Sequence, residues 1–258
     1  MSAKHYSNFR NYNLFIHIIA WRENQKASKY RRVMIASMVS ASVIGLICFV
    51  GYTVSLLQIN LGAVITGVYV FCLSSMGIAF AREISGFEPL PISESLVKRK
   101  GSTRKILMML LFSAILAALM AVVGSFVFNF CLVLFHEQSK EAQAISSLPT
   151  KNIFLLFSLF LAGAGIAEEV MFRLFIQSFI WKLCKKSWVS IVLSSFCFAL
   201  YHLSPMDTMY KTFWEYPLSK FTSVFLVGLV LGYFYKKRGF ETVVLGHTLC
   251  DYIAAVGI

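Results

Sequence analysis

Residues 153–180 read IFLLFSLFLAGAGIAEEVMFRLFIQSFI, an apolar run broken by three charges, Glu168, Glu169 and Arg173. A helix of that length, rising ~1.5 Å per residue, exceeds the ~30 Å hydrocarbon core of a bilayer. The reading is therefore a membrane span with an acidic pair inside it. Ionisable groups at such depth cost at least ~2.5 to 3.5 kcal/mol each, which marks them as candidates for function.

The rest of the chain repeats the pattern. Of 258 residues, 58% are hydrophobic and 14% charged, and the apolar runs lack the two-residue alternation of a membrane barrel. Lipid requires every backbone polar group to be bonded internally, so the fold class is all-α, a polytopic helical membrane bundle. Seven spans are predicted, at 33–57, 61–81, 106–135, 153–181, 187–203, 221–235 and 242–258.

The net charge of +12 follows the loops and not a binding face, so nucleic acid is not expected as a partner. With a cytoplasmic N-terminus, 19 Lys and Arg fall on the inner side and four, Lys140, Lys151, Lys211 and Lys220, on the outer. That asymmetry predicts a multi-pass protein with its N-terminus in and its C-terminus out, in the plasma membrane if bacterial. Residues 1–32 are too polar to be a cleavable leader, and Phe15, Ile18, Ile19 and Trp21 suggest an interfacial amphipathic helix. Six cysteines without CxxC spacing indicate neither a disulfide framework nor a thiolate metal site. The proline-containing segment 82–105 divides an accessory hairpin, residues 33–105, from a core at 106–258.

Five ionisable residues besides Arg173 lie within the predicted spans: Glu168, Glu169, His202, His247 and Asp251. Glu169 and Arg173 stand i, i+4 in the favourable order for an ion pair, with Glu168 turned about 100° away. His247 and Asp251 are also four apart, a spacing at which an acid orients an imidazole or both ligate one ion. Gly163 and Gly165 are expected to loosen the fourth span before the glutamates. Gly228 and Gly232 place small residues where another helix can approach. Counting from the nearest basic residues puts His247 about 13 Å deep, Asp251 about 18 Å, Glu168 about 21 Å and His202 about 24 Å, which is not one level.

Taken in order, Glu168-Glu169-Val170-Met171-Phe172-Arg173, then Phe198 to His202, then Phe225-x-x-Gly228, then His247-x-x-x-Asp251, the motifs resemble the CAAX protease and bacteriocin-processing family. These intramembrane endopeptidases, also called the ABI family, include the type II CAAX prenyl proteases. The resemblance covers residues 153–258 and implies peptide-bond hydrolysis within the bilayer, on a membrane-anchored, prenylated or peptide substrate. By the same resemblance, Glu168 would be the general base with His202 assisting it, Glu169 and Arg173 a supporting pair, and His247 with Asp251 would face the carbonyl. The family pattern has Asn where this chain has Asp251. Two mechanisms are compatible with the set: a divalent metal such as zinc on His202, His247 and Asp251, or metal-free activation of water by Glu168 and His202. Rival readings are a proton-coupled transporter, whose relay uses the same residue types, and a non-catalytic bacteriocin immunity or scaffold protein.

Overall fold

The structure, a computed structural model, describes residue 31 and residues 34–97, 102–140, 148, 150, 152–204 and 215–257. The expected interfacial helix around Phe15 to Trp21 lies outside these. Among the described residues the chain forms eight helices and no strand. They are α1 (Met34–Leu56), α2 (Leu61–Arg82), α3 (Pro91–Val97), α4 (Ser102–Phe135), α5 (Ile153–Cys184), α6 (Ser187–Tyr201), α7 (Pro217–Arg238) and α8 (Phe240–Val256).

A helix answers each of the seven predicted spans. Five, α1, α2, α4, α5 and α7, are long and apolar enough to cross a membrane. α6 and α8, with 15 and 17 residues, are shorter than the ~20 a crossing takes. The short α3 was not expected. Its first turn is capped by Glu241, whose Oε1 accepts from Ile92 N at 3.2 Å and Ser93 N at 3.0 Å.

Burial is inverted relative to a water-soluble domain. Val122, Phe126, Phe130 and Val133 of α4 are exposed, a contiguous apolar stripe that only lipid makes tolerable. The interior, in contrast, holds Gln177, Ser178, Ser194 and Ser195. These link helices: Gln177 Nε2 donates to the Gly232 carbonyl at 2.9 Å, and Ser178 Oγ lies 2.7 Å from Tyr235 Oη. In lipid such bonds average only ~0.6 kcal/mol, so close packing must do much of the rest. Gly228 allows it, since a Cβ there would stand 3.0 Å from that of Ser195, as the spacing of Gly228 and Gly232 leads one to expect.

α5 is the axis of the molecule. α2 packs on its second half and α8 on its first, while α4 and α6 flank α7. Cys48 of α1 donates its thiol to the Ala162 carbonyl at 3.3 Å, so the first hairpin also rests on α5. Two stretches of α5, Leu161–Glu168 and Val170–Gln177, are π-helical. π-helical turns are rare and concentrate at functional sites. Here the first contains Gly163 and Gly165 and ends on Glu168, and Glu169 lies between the two.

Candidate active site

The widened middle of α5 turns its neighbouring glutamates to different partners. Glu169 and Arg173 are both fully buried, with Arg173 Nε 3.4 Å from Glu169 Oε2. This is the i, i+4 pair expected from the sequence. Arg173 also points to Ser194 Oγ at 3.5 Å and lies 4.8 Å from the centre of the Phe198 ring. The sequence did not indicate the other half of the arrangement: Glu169 Oε1 is 2.8 Å from His247 Nδ1. Glu169 thus serves a guanidinium on its own helix and an imidazole on α8.

Glu168, with a side chain 19% exposed, faces His202, its Oε2 3.8 Å from Nε2. His202 caps the C-terminal end of α6, and its Nδ1 lies 3.0 Å from the Phe198 carbonyl. A carbonyl only accepts, so Nδ1 carries the proton; in the neutral ring Nε2 is then an acceptor directed at the carboxylate. His247 Nε2 in turn faces Asp251 Oδ2 at 3.7 Å. His247 turns to Glu169, because the latter projects toward α8.

The residues counted at four depths along the sequence nevertheless line one cavity. Gly165 contributes to this, since a Cβ there would collide with Thr248 Oγ1 and lie 3.1 Å from the Val244 carbonyl. The missing side chain lets α5 and α8 touch one turn from the glutamates.

Glu168, His202, His247 and Asp251 line one cavity of about 670 Å3. Its walls come from the second halves of α4 and α8 and the first halves of α5 and α7. These halves share one end of the bundle, because Glu137, just beyond α4, accepts from Leu218 N and Ser219 N at the start of α7. The cavity is thus displaced away from Lys236, Lys237 and Arg238, which close α7 at the other end.

One lining residue escaped the sequence reading. Lys220, assigned there to an outer loop, is buried at 6% exposure inside α7 and borders the same cavity. Pro217 begins the helix four residues earlier than expected, and proline at a first helical position is the signal that could have revealed it.

The metal expectation can be tested against the donors. Both rings have Nδ1 engaged by an oxygen and both line the cavity, as ligating histidines do. Among the described residues, however, no three His, Cys, Asp or Glu side chains converge as an ion site. Asp251 and Glu168 each approach a different imidazole, and the two pairs do not merge. The six cysteines are free thiols, so none substitutes as a ligand pair.

No curated protein matches the chain, and no solved structure matches it. Residues 150–253 match the family model for type II CAAX prenyl endopeptidase Rce1-like proteins, a segment that contains all six candidate residues. Over that segment, about two-fifths of its length, the chain is similar to the Rce1-like CAAX prenyl endopeptidases.

Proposed function

We propose that the protein is an intramembrane endopeptidase that hydrolyses a peptide bond in a membrane-associated or lipidated protein or peptide, with Glu168 and His202 activating the water. The reading is carried by one observation, the Oε2 of Glu168 facing the Nε2 of His202 across 3.8 Å inside a cavity. That separation is too long for a direct hydrogen bond and suits a bridging water. Both flanking atoms are acceptors, so a water between them spends both protons on the pair and turns its oxygen lone pairs outward.

In the proposed reaction Glu168 takes a proton as the water oxygen attacks the scissile carbonyl. The tetrahedral oxyanion forms beside His247 and Lys220, which line the same wall space. Glu168 then returns the proton to the departing amine nitrogen as the C–N bond breaks. General acid–base help of this kind supplies ~10²- to 10⁴-fold, and an oriented donor to the oxyanion a further ~10²- to 10³-fold. Asp251 neutralises and orients His247, a role that tolerates aspartate where donation to an oxyanion would not. A divalent metal such as zinc, if bound, would polarise the carbonyl, but no step requires it.

The test is cleavage of a prenylated peptide by purified protein in proteoliposomes. Glu168→Gln and His202→Ala should each abolish turnover while leaving the helical content intact. Full activity in either variant would exclude this pair. Chelator treatment with metal analysis separates the two mechanisms, since activity retained without stoichiometric ion rules out the metal one. The transporter reading predicts instead solute uptake that is lost in the same variants without any cleavage.

A further inference from the structure

We propose that the basic end of the bundle, remote from the catalytic cavity, holds the head group of an anionic phospholipid. A second cavity of about 420 Å3 opens there. Its cationic wall is Arg104 and Lys105 from the first turn of α4, facing Lys236, Lys237 and Arg238 from the last turn of α7. One carboxylate, Glu88, lines it, 3.9 Å from Lys105. Five cations and one anion around a single cavity repel one another unless an anionic group is seated among them, each such residue interacting with an anionic lipid surface by about 1 kcal/mol.

The lining turns apolar along α4. Met108, Met109 and Phe112 follow the α4 cations by one and two turns, continuing the site from the head-group level toward the acyl chains. Arg238 does not wave free in solvent, for its guanidinium carbon lies 3.5 Å from the Phe112 ring centre. The cationic wall is also pinned at its base: Phe240 N donates to the Pro89 carbonyl at 2.8 Å, and Glu241 holds the first turn of α3. A free phosphate would use the cations alone. The junction of clustered cations with apolar residues at a helix end fits a phosphate ester carrying a hydrocarbon tail.

Binding of fluorescent phosphatidylglycerol to the purified full-length chain, in phosphatidylcholine-containing micelles, tests this. At about fivefold per basic residue, Lys236→Gln/Lys237→Gln should weaken binding about 25-fold. Lys185→Gln/Lys186→Gln, which removes two charges between α5 and α6 outside the cavity, should change it by no more than about twofold. Equal losses in both variants would reduce the site to smeared surface charge and overturn the proposal. So would equal affinity for labelled phosphatidylcholine. Displacement of the lipid by inorganic phosphate as readily as by unlabelled phosphatidylglycerol would assign the cavity to a free anion instead.

Discussion

Glu169 and His247, 78 positions apart in the chain, meet at 2.8 Å with both side chains buried. That contact joins α5 to α8 and places the second histidine of the site. It also divides the two glutamates: Glu169 is committed on both oxygens, to His247 and Arg173, whereas Glu168 faces the cavity.

The division predicts opposite phenotypes. Glu169→Ala leaves Arg173 buried without its carboxylate and should cost ~3 to 5 kcal/mol of stability, the usual penalty for halving a buried pair. Glu168→Ala should change thermal unfolding by less than ~1 kcal/mol, as expected outside buried networks, yet abolish cleavage. Melting curves and peptide turnover on both variants check the pair; a Glu168→Ala protein that melts as early as Glu169→Ala would contradict it.

Lys220 carries a charge into the cavity beside the proposed reaction centre. If it stabilises the oxyanion, Lys220→Met should lower kcat by ~10²- to 10³-fold with KM little changed. A rise in KM at constant kcat would show that it binds the substrate ground state instead.

Gly165→Val puts a branched side chain where Thr248 and the Val244 carbonyl already stand. α8 must move away, carrying His247 from Glu169. Overpacking of this kind costs ~1 to 3 kcal/mol, and a displacement of ~1 Å in the site can cost ~10²-fold in rate. Unchanged activity in Gly165→Val would show that contact between α5 and α8 does not set the site.

Acid should loosen the start of α7. Burial pushes the Glu137 carboxyl up, but the bonds it accepts from Ser219 and from the N–H of Leu218 outweigh it and hold the group below its ordinary value of 4.5. A carboxyl depressed in the folded state stabilises above its unfolded pKa and loses that contribution as pH falls through the folded one. Below pH 4.5, therefore, the wild type should lose stability faster than Glu137→Gln, which is already neutral. Parallel melting profiles for the two proteins down to pH 3 would negate the cap.

The helical bundle and its positions were legible because long apolar runs admit only one structure in lipid, and the Glu169–Arg173 pair because helical spacing is local. Lys220 was hidden by reading Pro217 as part of a loop. The Glu169–His247 bond, the Glu168–His202 facing and the end toward which the cavity lies were not readable. They depend on how the helices pack across one another, as at the π-helical turns of α5 and the close approach of α8 at Gly165. Sequence thus determined which residues are costly to bury and therefore candidates for the site. Only tertiary packing decided which of them face one another, because side-chain direction across helices is fixed by contacts that no periodicity records.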